Sequence, residues 1–284
     1  MIQSVESVLF NSDSLFKIAS YLPADSLLNL ALTCRRFGVD VAPISDGDGD
    51  SLSLVEETAR GLVNDIATEE QKNALPCYDG DNWICKYDYL QLLRAPLTFD
   101  QLVGPIEYVE GNKSSVVTNH DRPSLWATAF SNNIMMAGKH YVSFQMNQDT
   151  DVLLGVMRPG EAMQMAQGSP LMPSFSNHFT QRQGSVQHNN SVNCCMYYSH
   201  DGECLSHDWG EGYSDSQQWD GMEALSGSFE IGMLLDLDEG ALSVYKNDRK
   251  LGVMKRGLAG HYCWFVAMSP GAQISVKRGT VPEI

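Results

Sequence analysis

The sequence is poor in basic residues for its length. It contains 19 Lys and Arg against 35 Asp and Glu, which gives a formal net charge of −16 at pH 7. The phosphates of nucleic acids and the headgroups of anionic lipids repel so acidic a chain. We therefore expect neither nucleic acid nor a membrane among the partners of this protein.

Long apolar runs are missing as well. No run approaches the ~20 apolar residues that a helix needs to cross a bilayer. The first residues lack the basic stretch and the continuous apolar stretch of a secretory signal peptide. We expect an intracellular protein, cytoplasmic or nuclear, in which the seven Cys are reduced thiols.

The short motifs that mark common active sites are also missing. There is no Gly-x-Ser-x-Gly turn around a nucleophile and no Gly-x4-Gly-Lys-Ser/Thr loop for phosphates. No Cys-x2-Cys pair offers a zinc knuckle. The sequence therefore predicts no catalytic residue, no cofactor and no metal, and an enzyme remains the third hypothesis behind two kinds of binding protein.

Two groups of carboxylates still deserve comparison with known chemistry. Asp46 and Glu57 open and close a stretch with calcium-loop spacing, but Ser51 stands where the sharp turn needs Gly. Asp236 and Asp238 are two residues apart and could form an acid–base pair on one face of a strand. We interpret the first group as a solvated linker and the second as the polar end of a strand.

A third group combines thiols with imidazoles, the side chains that zinc prefers. Its members lie within fourteen residues of one another: Cys194, Cys195, His200, Cys204 and His207. Adjacent residues of a strand point to opposite faces, so Cys194 and Cys195 could not bind the same ion. We interpret the group as core thiols next to loop histidines.

The first hundred residues have the spacing of helices. Leu15, Ile18 and Leu22 recur at helical intervals, and Pro23 then breaks the helix. Residues 25–32 predict a second helix that is apolar nearly all round, which must bury more than one face. Further helices are predicted at 51–67 and 79–97, with a capping box at 68–71.

From about residue 106 the pattern changes to short β-type runs separated by polar loops. Many short strands without helices between them indicate an antiparallel sandwich. The predicted strands are 141–146, 152–157, 194–199, 229–237, 241–246, 250–254, 262–268 and 273–277. The residues with the spacing of one buried sheet face are Leu242, Val244, Leu251, Val253, Trp264 and Val266.

Residues 10–37, which contain LFKIASYLPADSLLNLALTCRRF, resemble an F-box. The match comprises an Ile-bearing first helix, a Leu-Pro step, a Leu-rich second helix and a Cys-Arg-Arg-aromatic end. The opening departs from the family, which usually has Leu-Pro where this chain has Phe10 and Asn11. The resemblance implies docking on the Skp-type adaptor of a cullin–RING ubiquitin ligase. The candidate contact residues are Leu15, Ile18, Leu22, Pro23, Leu28, Leu32 and Phe37.

Residues 107–283 resemble a SPRY domain, through segments such as GKHYVSFQM (138–146) and IGMLLDLDEGALSVYKNDRKLGVM (231–254). Asp248 stands where the family commonly has Gly after the turn Asn, but Asp tolerates a left-handed backbone better than most residues. The resemblance implies a bent antiparallel sandwich that captures a protein on its loops. The candidate contact residues there are Arg158, Phe175, Trp209 and Tyr213, whereas Trp219 is expected to pack on the core.

The fold class expected from these patterns is multidomain, with an all-α part followed by an all-β part. The predicted divisions are an F-box-like motif at 8–45, an acidic linker with helices at 46–105, and a SPRY-like sandwich at 106–284. The leading hypothesis is a ligase adaptor that binds an unknown substrate protein. The alternative is an interaction scaffold on a SPRY domain that recruits no ligase.

Overall fold

The computed structural model describes residues 12–33, 53–75, 82–119, 126–146, 150–159, 193–208 and 213–280, with the backbone alone for 12–15, 70, 207, 208 and 213–216. The chain divides into two compact units, Met1–Ala95 and Pro96–Ile284. The second unit begins earlier than the predicted limit at residue 106, because the strand Phe99–Val103 already pairs within a sheet.

The described part of the first unit contains five helices. They are α1 (Ser12–Ala19), α2 (Ala24–Thr33), α3 (Leu54–Ile66), α4 (Glu69–Asn73) and α5 (Trp83–Arg94). The predicted capping box before α4 is confirmed. The amide of Gln71 donates to Thr68 Oγ1 at 3.2 Å, and the amide of Thr68 donates to Gln71 Oε1 at 3.1 Å. Each side chain therefore satisfies a backbone donor that the first helical turn leaves unpaired.

Helices α3 and α5 do not serve as a linker, which differs from the sequence-based expectation. Helix α3 packs against α1, α2 and α5, and α5 also packs against α2. Leu27, Val55, Ala59 and Leu90 are fully buried between them. Residues 12–33, 53–75 and 82–94 therefore share one small core, since two short helices cannot bury enough apolar surface by themselves.

The second unit consists of two antiparallel sheets of seven strands each. Sheet A has the order β1-β4-β13-β6-β7-β8-β9, and sheet B has the order β12-β11-β10-β5-β14-β3-β2. The strands are β1 Phe99–Val103, β2 Ile106–Val109, β3 Asn112–Thr118, β4 Ala127–Met135, β5 Lys139–Met146, β6 Val152–Met157, β7 Cys194–Tyr198, β8 Cys204–Asp208, β9 Tyr213–Gln217, β10 Phe229–Asp236, β11 Ala241–Lys246, β12 Arg249–Arg256, β13 Tyr262–Met268 and β14 Gln273–Arg278. The prediction of an antiparallel two-sheet architecture is confirmed.

Six of these strands, β1–β4, β8 and β9, were not predicted from the sequence. Strand β4 illustrates the reason. Its pairing with β13 is interrupted between Cys263 and Phe265, and the polar residues Asn132 and Asn133 fall at that interruption. A bulge of this kind breaks the alternation of apolar and polar residues on which a sequence-based prediction depends.

The main core lies between the two sheets. Trp264 is 1% exposed, and its ring meets that of Phe144 edge to face with 6.3 Å between centroids. The prediction for β12 needs correction at one position: Met254, and not Val253, belongs to this core. The pairing of β11 with β12 shifts between Leu242 and Ser243, and such a shift moves the following side chains to the other face.

The hairpin between β11 and β12 has the predicted backbone. Asn247 and Asp248 have φ values of 48° and 65°, so both lie in the left-handed region that a two-residue hairpin turn requires. The side chain of Asn247 stabilises the turn, because its Oδ1 accepts a 3.0 Å hydrogen bond from the amide of Glu230. Asp248 therefore takes the conformation that Gly would take at this position.

Candidate partner-binding surface

The first two helices expose an unusual number of large apolar side chains. Ile18 is 51% exposed, Leu28 48% and Leu32 77%. Leu28 and Leu32 are four residues apart on α2, so they lie on the same side of that helix. We call the exposed side chains of Ile18, Tyr21, Leu28 and Leu32 the apolar helical face.

The opposite side of these helices is buried. Ala19 and Leu27 are completely inaccessible, and Ala24 is 2% exposed. Small residues here allow α1 and α2 to approach the rest of the unit closely. The internal core therefore uses Leu27 and the alanines of these helices, and it leaves Ile18, Leu28 and Leu32 exposed.

The other predicted residues of the helical site lie as follows. Leu22 is half-buried and Pro23 is exposed. For Leu15 the structure describes only the helical backbone, and Phe37 lies outside the described residues. The contact role predicted for these seven positions stays a prediction.

Tyr21 was missed by the sequence analysis, although it is 78% exposed. It follows the end of α1 and precedes the Leu22-Pro23 step, so it belongs to neither helix. A search for helical spacing passes over such a residue. The signal that could have indicated it is an aromatic residue directly before a helix-breaking Leu-Pro step.

The turn that carries Tyr21 is attached to α5 at Leu22 and Ala24, both of which follow Tyr21 in the chain. The hydroxyl of Tyr87 donates to the carbonyl of Leu22 at 3.5 Å, and the amide of Ala24 donates to Gln91 Oε1 at 3.3 Å. Within the turn, the amide of Tyr21 donates to the carbonyl of Ile18 at 3.2 Å. These bonds position the junction between α1 and α2.

A buried carboxylate holds α3 against α5. Glu56 is 4% exposed, and its Oε2 accepts a 2.6 Å hydrogen bond from the amide of Trp83 at the start of α5. Burial raises the pKa of Glu56, while bonds from the amides of Trp83 and Ile84 act in the opposite direction. The carboxylate caps the helix N-terminus, so its role here is structural.

On the sandwich, Arg158 has a structural contact that its predicted binding role did not include. Its Nη2 donates a 2.6 Å hydrogen bond to the carbonyl of Ala259, and its guanidinium lies 5.4 Å from the centre of the Tyr262 ring. Arg158 therefore connects the end of β6 to the loop before β13. Phe175 and Trp209 lie outside the described residues, and for Tyr213 only the backbone at the start of β9 is described.

The described members of the thiol and imidazole group do not come together around one point, and for His207 only the backbone is described. Cys194 and Cys195 belong to separate apolar clusters, which confirms that they point to opposite faces of β7. Cys195 Sγ lies 3.7 Å from Cys204 Sγ in the core, and that contact together with burial raises the pKa of Cys195. His200 lies on the surface, 3.5 Å from Asp151. Within the described residues, no three His, Cys, Asp or Glu side chains are close enough to hold a metal ion.

The carboxylates of the β10–β11 turn bind the backbone. Asp236 Oδ1 accepts hydrogen bonds from the amides of Asp238 and Glu239 at 3.2 and 3.1 Å, and Oδ2 lies 3.0 Å from Lys139 Nζ. Asp238 Oδ1 accepts from the amide of Gly138 at 3.3 Å. Both carboxylates therefore stabilise turns, which agrees with the interpretation of this pair as the polar end of a strand.

In the part of the chain that the structure describes, no helix is long and apolar enough to span a bilayer. This finding applies to the helices within residues 12–33, 53–75 and 82–94 and not to the other segments.

Comparison with known proteins gave likenesses at the level of structure alone. No family model and no curated protein sequence matches the chain. The crystal structure of the SPRY domain of human HERC1 has a TM-score of 0.41 and 11% identity, and it covers 62% of this chain and 97% of the solved one. The TRIM65 PSpry domain has a TM-score of 0.41 and 17% identity, and it covers 63% and 89%. These SPRY domains are what the chain is similar to, and at this TM-score the likeness carries no conclusion about what the chain does.

Proposed function

We propose that this protein is a substrate-recognition adaptor of a cullin–RING ubiquitin ligase. In this proposal the helical unit docks on the Skp-type adaptor, and the SPRY-like sandwich binds a target protein. The observation that carries it is the apolar helical face. Three residues selected from the F-box resemblance, Ile18, Leu28 and Leu32, are about half exposed or more, at 51%, 48% and 77%.

The energetic argument for a partner is simple. Burying a Leu or Ile side chain fully is worth roughly 1.5–3 kcal/mol relative to leaving it in water. Exposed apolar groups that are contiguous mark interaction sites more often than isolated ones do. Leu28 and Leu32 are neighbours on α2, and Ile18 lies on α1, the preceding helix in the chain. A partner that covers these side chains gains binding free energy from their burial, because the folded chain alone leaves them exposed to water.

The sandwich suits the second task in this proposal. Its two sheets provide a rigid support, and the irregular segments that connect the strands are free to vary in sequence without loss of the core. The proposed target is a protein, and the proposed binding region comprises residues around 158–190 and 206–222, the second of which includes parts of strands β8 and β9. Neither a catalytic residue nor a cofactor belongs to the proposal, so the chain itself is not an enzyme.

A binding experiment with the purified Skp-type adaptor tests the proposal. The full chain is compared with a Leu28→Asp, Leu32→Asp double variant by calorimetry, because two buried carboxylates would be strongly disfavoured in an apolar interface. The matched control is Ile66→Asp, which places a charge at a position of α3 that is 39% exposed. We expect the double variant to lose binding and the control to keep it.

Two results would contradict the proposal. One is binding of the double variant as tight as that of the wild type, since the apolar helical face would then not be the contact. The other is a wild-type chain that does not bind the Skp-type adaptor and instead forms a compact dimer in light scattering. The dimer would indicate the alternative function, a scaffold whose helices associate with each other.

A further inference from the structure

We infer that Arg158 and Asn193 form a subsite for a carboxylate of the target protein, the terminal group of an Asp or Glu side chain. The inference rests on the proposed role of the sandwich in target binding, and it adds the chemistry that one end of the sandwich recognises. Asn193 was not among the residues that the sequence indicated. Its place beside Arg158 depends on the pairing of β6 with β7.

Arg158 and Asn193 lie opposite each other at one end of sheet A. The pairing of β6 with β7 runs to Met157 and Cys194, and the amide of Arg158 continues it by donating to the carbonyl of Asn193 at 2.9 Å. Opposite residues of an antiparallel pair place their side chains on the same face, with Cβ atoms about 4.5–5.5 Å apart. The two polar side chains therefore belong to one site.

The guanidinium of Arg158 is held in place by the folded chain itself. Its Nη2 donates to the carbonyl of Ala259 at 2.6 Å, and its central carbon lies 5.4 Å from the centre of the Tyr262 ring. A Cβ at Gly260 would lie 2.9 Å from Arg158 Nη1, so the glycine leaves room for the guanidinium. A side chain that is already positioned loses less conformational entropy when a ligand binds.

Polar atoms of this site lack hydrogen-bond partners among the described residues. Arg158 Nε is buried without a partner, and so are both amide atoms of Asn193, a residue that is 1% exposed. Buried polar groups in folded proteins are normally hydrogen-bonded, because an unpaired one keeps the full cost of its desolvation. A ligand that pairs with these atoms removes that cost.

The charge of Arg158 selects a carboxylate as the occupant. Within the described part of the sandwich, the side chains that pair with carboxylates are Lys113, Lys139, His200, Lys246, Arg249 and Lys277. Arg158 is half-buried and is not one of them, although the chain contains 35 acidic residues. Charges withdrawn from water are normally paired, and the planar guanidinium matches the two oxygens of a carboxylate. The amide nitrogen of Asn193 offers those oxygens a further donor.

The experiment measures the binding of labelled heptapeptide pools to the full chain by fluorescence anisotropy. The pools are acetylated and amidated, and randomised neutral residues flank one fixed central residue, which is Asp, Glu, Asn or Ala. A further pool has a central Ala and an unblocked terminal carboxylate, which separates recognition of a side chain from recognition of a chain end. We expect the Asp or the Glu pool to bind the wild type at least about 10-fold more tightly than the amidated Ala pool.

Three variants connect this acidic preference to the site. Arg158→Gln removes the charge and should reduce the preference to less than about 2-fold, whereas Arg158→Lys keeps the charge without the planar geometry and should retain about 3-fold. Asn193→Asp supplies a carboxylate opposite Arg158 from within the chain and should also abolish the preference. Arg94→Gln is the matched control, because Arg94 Nη1 likewise donates to a backbone carbonyl, that of Ile66 at 2.7 Å.

Circular dichroism and thermal melts follow folding in the same samples. A lower melting temperature of Arg158→Gln with an unchanged acidic preference would make Arg158 purely structural and overturn the inference. If Arg158→Gln does not fold, Arg158→Lys and Asn193→Asp decide in its place, and an undiminished preference in both overturns the inference. A wild type that binds all pools equally, binds none, or binds the unblocked pool most tightly also contradicts it. Binding of the helical unit to the Skp-type adaptor is measured separately by calorimetry, so a failure of the subsite is distinguishable from a failure of the proposed function.

Discussion

The indole Nε1 of Trp219 donates a 2.8 Å hydrogen bond to the backbone carbonyl of Gly202. The same ring meets that of Tyr197 edge to face, with 6.3 Å between centroids, and the hydroxyl of Tyr197 donates to the carbonyl of Glu223. Segment 219–223 is therefore attached to the turn between β7 and β8. This arrangement agrees with the expectation that Trp219 packs on the core.

Replacing Trp219 with Phe should lower the free energy of unfolding of the sandwich by about 1–2 kcal/mol. The change removes the indole donor and leaves the carbonyl of Gly202 without this partner. The measurement is urea denaturation followed by circular dichroism. Asp220→Asn is the control, because Asp220 is the exposed next residue; equal stability of both variants would show that the bond is unimportant.

Replacing Trp264 with Ala should lower the free energy of unfolding by roughly 3–5 kcal/mol, the usual range for a truncated core aromatic. The side chain is 1% exposed and lies in the core between the two sheets. Denaturant titration of the full chain measures the loss. A variant of unchanged thermal stability that no longer bound its target would instead place Trp264 in a binding site.

The stability of the sandwich should depend on pH through His140. The ring is 3% exposed and its Nε2 donates to the carbonyl of Ala137 at 2.8 Å. Burial lowers the pKa of His140 from 6.5 to about 4; the Ala137 bond and Asp238 oppose this shift, and Arg278 adds to it. The stability that neutral His140 contributes is thus complete above pH 6.5 and is lost as the pH falls toward 4.

The matched variant for this dependence is His140→Gln, which keeps a donor for the Ala137 carbonyl and does not titrate. Between pH 6.5 and 4 the wild type should lose up to about 3 kcal/mol more stability than the variant does. Comparing the two proteins removes the effect of the carboxylates, which titrate in both. Parallel pH curves would mean that the pKa of His140 does not differ between the folded and the unfolded chain.

Replacing Asp248 with Gly should raise the free energy of unfolding by about 0.5–1 kcal/mol. Asp248 has a φ of 65°, a conformation that costs Gly little but strains residues with a Cβ. Asn247→Gly is the contrasting variant, since Asn247 Oδ1 accepts a hydrogen bond from the amide of Glu230 that Gly cannot replace. Thermal melts compare the stability of both variants with that of the wild type. An Asp248→Gly protein that is less stable than the wild type would contradict the explanation.

The exposure of apolar side chains on α2 could be predicted from the sequence, whereas their contact role stays a prediction. Leu28 and Leu32 stood out because residues 25–32 are apolar nearly all round, which leaves more apolar groups than one interface can bury. Helical spacing did not indicate Tyr21, because it lies outside both helices, in a turn whose next residues are bonded to Tyr87 and Gln91. Those bonds join residues more than sixty positions apart.

Elements that depend on local interactions follow from the sequence alone: the capping box at Thr68 and Gln71, the left-handed turn at Asn247 and Asp248, and the division into helical and β-rich parts. Which of these elements pack against each other follows from contacts in the folded structure. It placed α3 and α5 in one core with α1 and α2, and a shift in strand pairing put Met254 in the core in place of Val253. Packing and strand register depend on contacts between distant residues, and spacing along the chain does not encode those contacts.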